Sequence, residues 1–184
     1  MPNKNTDLPT PDFRKLAENV MKDLPQKAAE QARIFFLSSF IKQGYTDTSF
    51  IPWVKRKDDL THKLLSQSYA LKESIKITKA DFENVEITAG EGLNYAAIHN
   101  EGGTITVKVS AKMKRFFWYM YKKTEDEKWK WMALTKNETL TIKIPKRQYI
   151  GVSETLMNNL DKMFIDRIKQ YFNSLNPNHA VEIF

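Results

Sequence analysis

The chain has 184 residues, with 29 Lys and Arg against 22 Asp and Glu, three histidines and no cysteine. That length suits one domain with a real core, and 11 Phe, 7 Tyr and 4 Trp argue against a disordered chain. The missing cysteines exclude disulfide staples, thiolate metal sites and cysteine nucleophiles.

Residues 1–10 are polar, carry two prolines and read as a flexible tail. From Pro11 the pattern turns helical, with Phe13, Leu16, Ala17, Val20 and Leu24 recurring at threes and fours. Thr10 suits the cap and Pro11 the first helical position. Pro25 is expected to kink or restart the helix. The second stretch puts Ala28, Ala32, Phe35, Phe36 and Phe40 on one apolar face and stops at Gly44, a residue that accepts positive φ. TDTSFIPWVKRKDD reads as a loop, followed by a short helix near 58–67 carrying Leu60, Leu64 and Leu65.

Alternation then replaces the helical period. LKESIKIT and ENVEITAG direct Ile75, Ile77, Val85 and Ile87 inward. LNYAAIHNEGG reads as a short strand or a helical turn ending in a glycine pair. TITVKVS places Ile105, Val107 and Val109 on one face, and ETLTIKIP places Leu140, Ile142 and Ile144 on one face before Pro145 closes the strand. From Ser153, a suitable N-cap, a helix runs to about Phe172 with Leu156, Leu160, Phe164, Ile168 and Phe172 at intervals of four. The order predicts an α+β fold, an antiparallel sheet packed by N-terminal and C-terminal helices. It forms a single domain over 11–175, with a C-terminal tail at 176–184.

Between the last two strands lies an inserted arm or lobe, residues 111–137, longer than a strand connection needs. Its aromatic blocks hold Phe116, Phe117, Trp118, Tyr119 and Tyr121, then Trp129 and Trp131, around a TEDEK turn. A hairpin with pairing arms is one reading and a flexible lobe the other. The aromatics either cap the domain's own core or contact another chain.

The charge is uneven. Residues 1–103 hold 14 basic and 14 acidic groups, while residues 104–150 hold 12 against 4. Lys108, Lys112, Lys114, Arg115, Lys122, Lys123, Lys128 and Lys130 thus suit a DNA-facing or channel-lining surface. The same alternation also arises on any solvated strand face.

Catalysis has little support, and neither catalytic residues, cofactor nor metal is expected. His62, His99 and His179 share no metal-ligand spacing. His99, two residues before Glu101, has no named nucleophile or acid partner. Gly102 and Gly103 lack the spacing of a phosphate loop. No run is long and apolar enough to span a bilayer, and MPNKNTDLPTPDF has no signal-peptide stretch. The expectation is a soluble protein made inside the cell, without a membrane partner.

Several blocks together resemble the phage virion morphogenesis family: FIPWVKRK, Leu71, Ser74 and Ile75 of a Leu-x-x-Ser-Ile element, NYAAIHNEGG and IPKRQYIGVS. Tyr95, Ala96, Ala97, Ile98, His99 and Gly102 follow its Tyr-Ala-x-x-His…Gly segment. Pro145, Arg147, Tyr149 and Gly151 follow the segment before its last helix. The resemblance runs from about residue 13 to 173. Two positions depart from it: Tyr69 and Ala70 stand where a glycine is usual, and Gln148 replaces a proline. The resemblance implies a non-catalytic structural protein that completes or caps a tail and joins it to the head. It would act in the bacterial host cytoplasm and then at the virion's head–tail junction or tail end. The implied partners are further copies in a ring, the tail tube and neck or head-completion proteins, with DNA nearby. Tyr95, His99, Gly102, Pro145, Arg147, Tyr149 and Gly151 become candidates for shaping the monomer or an interface.

Overall fold

The computed structural model describes residues 12–56 and 62–175. Helix α1 (Phe13–Lys42) opens where Asp12 accepts the Lys15 N–H at 3.1 Å, the first-turn donor an N-cap satisfies. The Thr10 and Pro11 expectations fall outside the described residues. Pro25 does not restart the helix, since it lies inside one continuous element.

The stop is one residue earlier than expected. Gln43, at φ +58, caps α1 by donating its N–H to the Ser39 carbonyl. Gly44 already belongs to strand β1 (Gly44–Thr46). Glycine is needed there for space, because a Cβ would lie 2.4 Å from Phe50 Cζ and 2.6 Å from the Ile51 carbonyl. β1 pairs antiparallel with β2 (Phe50–Pro52), so part of the expected loop is a hairpin. Three residues per strand are too few for period two to show.

Of the helix expected at 58–67, residues 58–61 lie outside the described set and 62–67 form bends and a turn. The Gln43 amide holds this stretch, accepting the Leu64 N–H at 2.7 Å and donating to the Phe40 and Leu64 carbonyls. Helix α2 is the short Ala70–Glu73. Tyr69 before it adopts φ +57, a conformation that glycine takes without the steric cost of a Cβ.

β3 (Lys76–Ala80) pairs with β4 (Val85–Thr88), α3 is Ala96–Glu101, and β5 (Gly103–Lys108) pairs with β6 (Thr139–Ile144). Between β5 and β6 rise α4 (Ala111–Thr124) and α5 (Glu127–Leu134). The arm is therefore a hairpin of helices. Helix α6 (Glu154–Leu175) ends the described chain. Among the described residues the strands form three separate two-stranded antiparallel ribbons. In consequence Val85, expected inward, is 38 % exposed, and Ile105 and Ile142, facing partners across β5 and β6, are 36 % and 40 % exposed.

The core lies where α1 crosses the connections. Ala32, Phe36 and Phe40 meet Tyr45, Trp53, Leu71, Ile75, Tyr149 and Leu156. Phe40 sits edge-on to Trp53 at 5.6 Å and tilted against Tyr149 at 5.4 Å. The Leu-x-x-Ser-Ile residues are structural: Leu71 and Ile75 are buried, and the Ser74 hydroxyl joins the Leu71 carbonyl to the Gly90 N–H.

α6 begins as expected, with Ser153 Oγ accepting the Leu156 N–H at 3.1 Å. Asp47 adds a long-range clasp, its carboxylate accepting the Glu154 N–H and its carbonyl taking the Thr155 N–H and hydroxyl. Further along, Arg167 pairs with both oxygens of Asp23 and holds α6 beside α1. Phe164, expected in the apolar stripe, is 41 % exposed.

Candidate functional site

The connector from β6 to α6, residues 145–153, is held mostly by acceptors that residues far away in the chain supply. Arg147 donates its backbone N–H to the His99 carbonyl at 2.8 Å. Its guanidinium donates twice, from Nε and Nη2, to the Val54 carbonyl at 3.2 and 3.1 Å. Trp53 Nε1 donates to the Gln148 carbonyl at 2.7 Å. Asn100 Oδ1 accepts the N–H groups of Tyr149 and Ile150. The Tyr45 hydroxyl reaches the Gly151 and Val152 carbonyls, and the Tyr149 hydroxyl reaches that of Ala96. Sequence reading passed over Asn100, Trp53 and Tyr45, since a polar or aromatic residue does not advertise a main-chain partner fifty or a hundred residues away.

Two glycines let these segments touch. At Gly102, φ +74, a Cβ would lie 2.7 Å from the Lys146 nitrogen. At Gly90, φ +79, it would lie 2.2 Å from the Ala96 Cβ.

Three of the candidates, Tyr95, His99 and Arg147, line one cavity of about 380 Å³, joined there by Arg56, His62 and Leu71. Arg147 is only 8 % exposed. Tyr95 stands edge-on to His99 at 5.8 Å, and Arg56 Nη1 lies 2.8 Å from His62 Nε2. His99 Nδ1 is buried and has no hydrogen-bond partner among the described residues. Burial first, and the Arg147 charge second, hold His99 below the ordinary histidine range. Burial likewise lowers Arg147, with the Arg56 charge adding to it.

The other four candidates do not line this cavity. Tyr149 is in the core at 2 % exposure, Gly102 ends α3, Pro145 follows β6, and Gly151, at φ +144, precedes the α6 cap.

Tyr45 and Tyr149 are both pushed up to about 12, chiefly by burial. A raised folded-state value favours the neutral phenol, so their contribution is complete below the unfolded value near 10 and lost as pH rises through about 12. The free energy of unfolding, followed by denaturant titration, should fall across that window by about 2–3 kcal/mol for each tyrosine. Tyr45→Phe and Tyr149→Phe should each flatten the fall; an unchanged slope in both would contradict the assignment.

The arm is a second, separate feature. Phe117 is buried and stacks on Trp129 at 6.0 Å, with Phe116 edge-on to Trp129 at 6.2 Å. Trp118 and Tyr121 meet edge-on at 6.0 Å. Phe116, Tyr119, Trp131 and Leu134 of the arm remain exposed, at 51 %, 59 %, 67 % and 52 %. The cations divide. Lys114 donates to the Thr135 carbonyl, Lys128 pairs with Asp126 and Lys130 with Glu127, while Lys108, Lys112, Arg115, Lys122 and Lys123 are exposed.

Residues 44–171 match the phage virion morphogenesis family. The chain belongs to that family. The match covers more than half the chain and takes in the cavity, the connector and the arm, whereas α1 precedes it. Neither a curated protein nor a solved structure matches. A member of the phage virion morphogenesis family takes part in building the phage particle, and here Leu71, Tyr95, His99 and Arg147, from segments far apart in the chain, line one cavity. Among the described residues no helix is long and apolar enough to cross a membrane.

Proposed function

We propose that the protein completes or caps the phage tail and joins it to the head as one subunit of a ring, without chemistry of its own. The observation that carries this reading is the family match over residues 44–171, which takes in the cavity, the connector and the arm. Two surfaces support it. The arm exposes Phe116, Tyr119, Trp131 and Leu134, and α6 exposes Met157, Phe164 and Ile165. Apolar groups on two separate elements suit a subunit contacted on more than one side.

Removing the gene should leave filled heads and tails that lack their completed end as separate species in the lysate, and adding the protein back should join them. Joined, infective particles formed without the chain would sink the proposal. In joined particles, electron microscopy should place the chain at the head–tail junction or tail end.

The basic segment favours a second reading, a DNA-binding accessory protein. Its support is reduced by Lys114, Lys128 and Lys130, which already have partners within the arm. If DNA is the partner, the isolated protein binds duplex at low salt, and affinity falls with a slope of about −0.9 per phosphate contacted. Neutralising Lys112, Arg115, Lys122 and Lys123 would then flatten that slope by about three to four.

A further inference from the structure

Two helices carry exposed stripes of opposite charge. On α4, Lys112, Phe116, Tyr119 and Lys123 follow at intervals of four, three and four, with Arg115 and Lys122 beside them. All six are exposed, and the helical period turns them away from the buried Phe117. The stripe is basic at both ends and aromatic in the middle, and α4 contains no Asp or Glu. On α6, Glu154, Met157, Asp161, Phe164 and Ile165 recur at threes and fours, and all are exposed. Lys162 is about 100° round the helix from Asp161, to one flank of this acidic and apolar stripe.

The charges share a spacing. Arg115 and Lys122 are seven residues apart, as are Glu154 and Asp161, so each pair spans about 10 Å along its helix. None of the six charged side chains in the two stripes has an ion pair among the described residues. Both stripes are open in the single chain, so they do not cover one another.

We propose that the α4 stripe of one copy docks on the α6 stripe of the next. Arg115 and Lys122 then meet Glu154 and Asp161, while Phe116 and Tyr119 meet Met157, Phe164 and Ile165. Two α4 stripes would set four cations against four, and two α6 stripes acid against acid, so charge selects the unlike pairing. Unlike faces make a head-to-tail contact, the kind that closes into a ring. This pairing rests on the ring reading above and adds the two faces through which neighbouring copies meet.

The chain has no cysteine, so single thiols can be placed at will. Full-length Tyr119→Cys and Met157→Cys, carrying tags of different mass, are mixed in solution and joined by a short thiol-specific crosslinker. The mixed product should exceed both like products, and should exceed the product formed when Glu91→Cys, at an exposed turn, replaces Met157→Cys. Arg115→Glu with Lys122→Glu in the Tyr119→Cys copy should cut the mixed product about tenfold. Glu154→Lys with Asp161→Lys in the other copy should restore it; if that variant does not fold, Asp161→Lys alone carries the rescue. Like products in excess, no product above the Glu91→Cys control, or no rescue overturns the proposal. Because the position in the particle is read separately by microscopy, the crosslink can fail while the chain still sits at the junction.

Discussion

Tyr149→Ala should lower the free energy of unfolding by about 3–5 kcal/mol, the cost of removing a buried aromatic ring and leaving its cavity. The ring is 2 % exposed and packs against Phe40. Its N–H and that of Ile150 converge on Asn100, and its hydroxyl reaches the Ala96 carbonyl at 3.2 Å. Tyr149 thus joins α1, α3 and the connector at one point. Tyr149→Phe keeps the ring and removes only the hydroxyl, so its cost should be about 1 kcal/mol. Denaturant midpoints measure both. Equal losses in the two variants would mean that the hydroxyl bond, not the ring's packing, holds these elements together. Because the connector carries Arg147, the alanine variant should also disturb the cavity, whereas the phenylalanine variant should leave it formed.

Gly102→Ala should cost about 2–5 kcal/mol, and Gly92→Ala serves as its control. Both glycines have positive φ, +74 and +72. A Cβ on Gly92 meets nothing within 4 Å, so only the conformational penalty of about 1–2 kcal/mol remains there. At Gly102 a Cβ would lie 2.7 Å from the Lys146 nitrogen and 3.0 Å from its Cα, main-chain atoms that a rotamer change cannot move. Its ψ of 175° adds a conformation that is essentially restricted to glycine. Overpacking of this kind adds about 1–3 kcal/mol. Thermal unfolding of the two variants separates the terms, and equal midpoints would show that the approach to Lys146 relaxes freely. Since Gly102 lies between His99 and the strand leading to β6, the same variant should move the His99 titration.

The legible parts of the fold were those made by neighbours in sequence. The α6 cap was readable because Ser153 bonds a group three residues on. The turn within the arm was readable too, as TEDEK contains Glu125 in the left-handed conformation and Asp126 capping α5. The arm's helical character was harder to see. Aromatic and β-branched residues favour strands, while Ser110 capping and an unbroken run without glycine or proline favour a helix. Alternation in β5 and β6 correctly marked strands but misstated their surroundings, because a two-residue period reports that faces differ, not that either is covered. The core at Val85 and Phe164 was overestimated for the same reason.

The candidate residues divide along the same line. Tyr95, His99 and Arg147 were singled out by resemblance, and nothing in their spacing announced that they share a cavity. The contacts that bring them together end on the carbonyls of Val54, His99 and Gln148, and a carbonyl is the same in every residue.

By itself, the sequence determined the helical ends, the strand alternations, the concentration of positive charge in residues 104–150 and the family to which the chain belongs. Each depends on residue type or on interactions spanning about four positions. Only the tertiary structure decided that the strands stay as three ribbons, that Lys114 reaches the Thr135 carbonyl, and that two arginines and two histidines meet in one recess. Those outcomes depend on which distant main-chain groups find each other once α1 has buried its face, and no local pattern encodes that choice.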